Sequence, residues 1–133
     1  MSSRSIKRII LAVVAGYAAN GILVAVSEQL LLLHTQSSVA TKQPSYFVVD
    51  LITQCLYTVV GGYLCCAIAG PFQRAAMTGL MSLGVFVGAV SLVTSWTTEP
   101  QWYGIALLAV YPPCVWIGWT LKSRVNGHPS SRA

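Results

Sequence analysis

Hydrophobic positions fall into four long runs separated by short polar segments. None of the runs contains Lys or Arg, and they cover Ile9–Leu33, Tyr46–Gly70, Ala75–Trp96 and Trp102–Leu121. A helix that crosses a bilayer needs roughly 20 mostly apolar residues. A membrane β-barrel would instead show short segments that alternate apolar and polar positions. The pattern therefore predicts an all-α fold: a bundle of four antiparallel transmembrane helices over residues 1–122.

The first run could also be read as a cleaved signal peptide. Three basic residues precede it, and Ala25-Val26-Ser27 resembles a small-residue cleavage site. The apolar stretch is much longer than the core of a signal peptide, and Leu30–Leu33 continue it beyond the cleavage site. We therefore expect a retained helix.

Composition and charge support a membrane protein and predict its orientation. The 133 residues are 55% hydrophobic and 8% charged, whereas a soluble domain is about 25% charged. Basic residues accumulate in cytoplasmic loops of membrane proteins. All but Lys42 of the eight lie before the first run, between the second and third, or after the fourth: Arg4, Lys7, Arg8, Arg74, Lys122, Arg124 and Arg132. An even number of crossings with both termini in the cytoplasm satisfies this distribution.

The remaining segments are short and polar. Residues 123–133 contain Gly127, Pro129 and several polar residues, and we expect a disordered cytoplasmic tail. The basic residues are few and dispersed, so they favour contact with anionic lipid headgroups over nucleic-acid binding. Aromatic residues that belong at the two membrane interfaces flank the runs. They are Tyr46, Phe47, Trp96, Trp102 and Tyr103 on the outer side, with Trp116 and Trp119 on the inner side.

Small residues spaced by four positions predict close helix packing, because helices in lipid associate through close backbone approach. The candidate packing residues are Gly62, Gly84, Gly88 and Gly118. Gly84 and Gly88 form a GxxxG pattern that can serve a dimer face or a contact within the chain, and we favour the contact within the chain. The Pro112-Pro113 pair predicts a kink in the fourth helix.

Cysteines and metal ligands give no sign of a cofactor. All four cysteines lie within the predicted helices, where they are expected to act as small packing residues: Cys55, Cys65, Cys66 and Cys114. A metal site built from Glu28, His34 and Asp50 can be drawn, but no HxxxH or ExxH spacing supports it. We predict neither a metal nor a cofactor.

A candidate polar seam joins the first two helices near their outer ends. Glu28 and Asp50 lie roughly 6–8 Å inside the same boundary at helical rise. Helical spacing adds further polar positions, and the whole set is Tyr17, Asn20, Glu28, Asp50, Gln54 and Tyr57. Two facing carboxylates would suit a proton or cation site, because one would tend to hold a proton. The alternative, which we favour, is that both carboxylates reach water at the interface.

Two short motifs carry a resemblance. Ala15-Gly16-Tyr17 in the first helix and Gly61-Gly62-Tyr63 in the second resemble those of a group of small four-helix bacterial membrane proteins that has no assigned activity. The resemblance implies a bacterial inner-membrane location and assigns no functional residue. Small multidrug transporters also have four helices and a glutamate in the first. Their glutamate lies near mid-membrane, whereas Glu28 lies near the outer end of the first helix. The basic residues of this chain are also more strongly biased towards one side of the membrane than those of the transporters.

No constellation of catalytic residues is visible, so we do not expect an enzyme. The sequence favours a structural or accessory membrane protein, packed in the bilayer alone, as a homo-oligomer or beside a larger membrane complex. The alternative function is a small proton- or cation-coupled transporter that uses Glu28 and Asp50.

Overall fold

The computed structural model describes residues 3–35, 44–97 and 100–126, and almost all of these residues are helical. No β-strand occurs in this part of the chain, so the all-α prediction is confirmed. The α-helices of the described residues are α1 (Ser3–Thr35), α2 (Pro44–Ala69), α3 (Gln73–Thr94) and α4 (Gln101–Asn126). A 3₁₀ turn at Gly70–Phe72 joins α2 to α3.

All four helices begin before the apolar runs that predicted them, and α1 and α4 extend furthest. α1 begins at Ser3 rather than Ile9, and α4 ends at Asn126 rather than Leu121. The apolar run marks only the part of a helix suited to lipid, and the backbone hydrogen bonds continue into the polar flanks. The tail predicted from Ser123 therefore begins inside α4, and residues 127–133 lie outside the described chain.

Three helical stretches are long and apolar enough to cross a membrane: Ser3–Leu30, Ser45–Thr94 and Gln101–Val125. The second is 50 residues long and contains both α2 and α3. Gly70 interrupts it with a φ of 59°, in the left-handed region that costs glycine little. Pro71 follows at the start of the 3₁₀ turn, where its missing N–H breaks no helical hydrogen bond.

Contacts between the helices show how the chain turns. Gly16 of α1 meets Gly61 of α2, while Arg8 reaches Ile68 near the end of α2. Gly84 of α3 meets Tyr111 of α4, and Leu92 of α3 meets Gly104 of α4, so late residues of α3 contact early residues of α4. α2 packs against both α1 and α4. The chain therefore folds back at Gly70–Phe72, and α2 lies between two neighbours.

The interior is built from small side chains and the exterior from large apolar ones. The buried cluster joins all four helices and consists of Ala12, Cys65, Ala69, Ala76, Leu80 and Val115. Large exposed side chains include Ile22 on α1, Leu56 on α2, Phe86 and Val93 on α3, and Trp116 on α4. An apolar exterior over a small-residue interior is the arrangement expected when lipid is the solvent.

Candidate functional site

Basic side chains collect at one end of the bundle. Arg8 donates from Nε to the Ile68 carbonyl oxygen at 3.0 Å, which satisfies an acceptor in the last turn of α2. Lys122 lies over the Tyr63 ring, with Nζ 5.4 Å from its centroid. Arg74 lies one residue after the start of α3. The start of α1, the α2–α3 turn and the last turns of α4 thus form one basic end.

Aromatic rings collect at the opposite end. Phe47 and Tyr103 are buried there, with ring centroids 5.1 Å apart, and Trp102 packs edge-on against both. The Tyr103 hydroxyl donates to the Asp50 carboxylate, which joins α4 to α2. Asp50 is therefore held by a phenol at this aromatic end.

A cavity of about 360 Å³ lies between the aromatic end and the middle of the bundle. All four helices contribute to its wall, which runs from Pro100 at the α3–α4 connection to Gly84 and Tyr111. Its apolar wall includes Val24, Val87, Leu92, Trp96, Leu107, Leu108 and Val110. This size lies near the lower limit for sites that bind small organic molecules.

None of the polar groups on the cavity wall belongs to an acidic or basic side chain. They are hydroxyls, amides and thiols, from Tyr17, Asn20, Gln54, Cys55, Thr58, Ser91, Ser95, Gln101, Tyr111 and Cys114. The Thr58 hydroxyl is already engaged, since it donates to the Gln54 carbonyl oxygen at 2.8 Å. Asn20 differs, because its buried Oδ1 accepts no hydrogen bond from any described residue.

The predicted polar seam is divided between different environments. Tyr17, Asn20 and Gln54 come together on the cavity wall. Glu28 is exposed on α1, Asp50 bonds to Tyr103, and neither belongs to the wall. Tyr57 is half-buried and also lies outside the wall.

Depth along α1 explains why Glu28 is separated from Asn20. Glu28 lies within about 20° of Tyr17 around the helix, so these two residues share a face. The α1 residues on the cavity wall are Tyr17, Asn20, Gly21 and Val24, and Glu28 lies one turn beyond Val24. Glu28 is therefore past the end of the wall rather than on another face of the helix.

The predicted packing glycines lie between helices of the same chain. A β-carbon added at Gly62 would lie 3.0 Å from the Val115 carbonyl oxygen, and one at Gly118 would lie 2.5 Å from that of Val59. Gly84 lies under the Tyr111 ring, and a β-carbon at Gly88 would lie 3.1 Å from Leu108 Cδ1. Both residues of the GxxxG pattern therefore face α4.

Sequence reasoning missed another close crossing, between Gly16 of α1 and Gly61 of α2. A β-carbon on either glycine would lie 2.8 Å from the backbone oxygen of the other. Adjacent helical residues point about 100° apart, so Gly61 faces α1 while Gly62 faces α4. The available signal was the glycine pair itself, because a helix packed on two sides needs small residues at consecutive positions.

The described residues contain no group of three His, Cys, Asp or Glu side chains placed to hold a metal. The side chain of His34, one ligand of the metal site considered above, lies outside the described set. Cys65 and Cys66 are fully buried in the interior of the bundle, while Cys55 and Cys114 lie on the cavity wall.

Comparisons with known proteins found no match for this chain among protein-family models, curated proteins or solved structures. The chemistry of the site is therefore argued from its own residues.

Proposed function

We propose that this chain is a small integral membrane protein of a bacterial inner membrane, with a structural or accessory role. It crosses the bilayer four times as antiparallel helices, and both termini are cytoplasmic. It acts within the bilayer as a homo-oligomer or beside a larger membrane complex. The observation that carries this proposal is the apolar exterior, which surrounds helices whose interior holds small residues.

The orientation is supported by the charge distribution. The described basic residues occupy the end of the bundle formed by the start of α1, the α2–α3 turn and the end of α4. Because Lys and Arg are retained on the cytoplasmic side of a membrane, this distribution favours a cytoplasmic location for the basic end. The aromatic cluster around Phe47 and Tyr103 suits the opposite, outer interface.

An accessory role is favoured over an ion-coupled carrier by the position of the two carboxylates. A carrier needs a charged site that alternately faces each side of the membrane. Asp50 is engaged by Tyr103, Glu28 is exposed, and the cavity wall has no acidic or basic side chain. The carrier that uses Glu28 and Asp50 is therefore the weaker candidate.

Site-specific photo-cross-linking in intact bacterial membranes tests the accessory role. A benzophenone amino acid replaces exposed apolar residues on three helices in turn, at Ile22, Phe86 and Trp116. We expect a discrete protein adduct from one of these faces and lipid adducts from the others. Leu80, which is buried, supplies the control position and should give no adduct to a second protein chain.

The carrier alternative is tested in parallel with vesicles that contain the purified protein and a pH-sensitive dye. Wild type and the Glu28→Gln/Asp50→Asn double variant should show the same proton flux under imposed proton, sodium or potassium gradients.

Each experiment has an outcome that contradicts the accessory role. In the cross-linking experiment, that outcome is the absence of a protein adduct at all three exposed positions. Flux that the double variant abolishes would establish the carrier.

A further inference from the structure

We infer that a groove at the basic end of the bundle is a binding site for one anionic phospholipid, whose phosphate is held by Arg74. This inference goes beyond the accessory role, because it concerns a lipid ligand and holds whether or not the chain has a protein partner. It also goes beyond diffuse attraction between basic residues and lipid headgroups, because it predicts a single saturable site.

The groove lies between the α2–α3 turn and the last turns of α4, and its volume is about 410 Å³. Its wall combines apolar rings with hydrogen-bond donors, and it includes Pro71, Phe72, Gln73, Arg74, Trp119 and Ser123. A wholly polar ligand would leave the rings uncovered, and a wholly apolar one would leave the donors unpaired. The wall therefore suits an amphiphile with a polar head.

Two donors on this wall lack acceptors. The Arg74 guanidinium and the Gln73 amide have no hydrogen-bond or ion-pair partner among the described residues. The Ser123 hydroxyl is already engaged, since it donates to the Trp119 carbonyl oxygen at 3.0 Å. A planar guanidinium presents paired N–H donors that match two oxygens of a phosphate. Arg74 is therefore the residue expected to hold the phosphate.

No acidic side chain at this end pairs with Arg74. The chain has three acidic residues, and the two that are described, Glu28 and Asp50, lie toward the aromatic end on α1 and α2. The third, Glu99, lies in sequence between α3 and α4, whereas Arg74 lies at the start of α3. The described residues of the basic end therefore carry a net positive charge, which favours an anionic lipid over a zwitterionic one.

The apolar surface beside the groove favours a lipid over a soluble phosphate. Trp116 lies three residues before Trp119, hence on nearly the same side of α4, and it is 54% exposed. Acyl chains attached to the bound phosphate would cover this surface, and tryptophan suits the interface between headgroups and chains. A soluble phosphate would leave the surface uncovered.

Native mass spectrometry with matched ligands tests this inference. The full chain in mild detergent is titrated with palmitoyl-oleoyl phosphatidylglycerol, with the phosphatidylcholine that has the same acyl chains, and with glycerol phosphate, which has none. We expect the first phosphatidylglycerol to bind about tenfold more tightly than phosphatidylcholine, the value of one charge-assisted hydrogen bond. Further copies should show no such preference, and glycerol phosphate should bind at least about tenfold more weakly than phosphatidylglycerol.

Variants assign the preference to Arg74. Arg74→Gln removes the charge and should weaken phosphatidylglycerol about tenfold while phosphatidylcholine is unaffected. Arg124→Gln removes an exposed charge from the same end, away from the wall, and should change the affinity by less than about twofold. Ser123→Trp fills the groove and should weaken the binding of phosphatidylglycerol about tenfold.

Three results would overturn the inference. One is equal affinity of wild type for the two lipids. Another is an equal loss in Arg74→Gln and Arg124→Gln, which would show diffuse attraction instead of a site. The third is that glycerol phosphate binds as tightly as phosphatidylglycerol, which would assign the groove to a soluble anion. Should Arg74→Gln fail to fold, an unchanged affinity of Ser123→Trp for phosphatidylglycerol rejects the site.

Discussion

Gly16 and Gly61 lie where α1 crosses α2 at backbone contact, and nothing larger than hydrogen fits between them. Each would bring an added β-carbon to 2.8 Å from the other's carbonyl oxygen. Such approach is a main source of stability where lipid removes the hydrophobic driving force between helices. Gly21, five residues along α1, has open space around it. The same residue type therefore has different roles on one helix.

Gly16→Ala is predicted to lower the free energy of unfolding by about 1–3 kcal/mol, because backbone atoms of α2 must move to admit the methyl group. Gly21→Ala is the matched control. Its methyl group meets nothing, and its better helix propensity should raise stability by up to about 1 kcal/mol. Unfolding by SDS titration from mild detergent measures both. Equal effects at the two positions would contradict the crossing.

At the scale of elements, the α2–α3 turn depends on Arg8 and Gly70 together. Gly70 supplies a backbone conformation that L-residues rarely adopt, and Arg8 reaches from α1 to the Ile68 carbonyl beside it. A β-carbon at Gly70 would lie 2.9 Å from Arg8 Nη2. The turn is therefore stabilised by an element that precedes it by about sixty residues.

Arg8→Ala is predicted to destabilise the protein more than Lys7→Ala, by about 1 kcal/mol, because it alone removes the hydrogen bond to Ile68. The two variants change the charge at the same end equally, and Lys7 is exposed. Thermal unfolding in detergent separates them. The same melting temperature in both variants would show that the arginine contributes only charge.

The sequence predicted the helices well and the contacts between them poorly. Apolar runs determine which segments are suited to lipid, so the all-α class and the approximate positions of the helices followed directly from them. The Gly16–Gly61 crossing is a contact between distant residues that periodicity along one helix does not reveal. Asn20 and Gln54 were found among the polar positions. The Asp50–Tyr103 bond was missed because it joins α2 to α4.

At the scale of the whole molecule, the bundle has one basic end, one aromatic end and an uncharged cavity beside the aromatic end. The 50-residue apolar stretch Ser45–Thr94 is central to this arrangement, since it turns back at Gly70–Phe72. Two crossings within that stretch would give four in all and put both termini on one side. A single crossing there would give three and put the termini on opposite sides.

Reporter fusions decide between these counts and test the central claim directly. Green fluorescent protein, which fluoresces in the cytoplasm, and alkaline phosphatase, which is active outside it, are each fused after Phe72 and after Ala133. The same pair is fused after Lys42 as the control for an outer connection. Four crossings predict fluorescence after Phe72 and Ala133 and phosphatase activity only after Lys42. Phosphatase activity at the Ala133 fusion would contradict the four-helix membrane bundle.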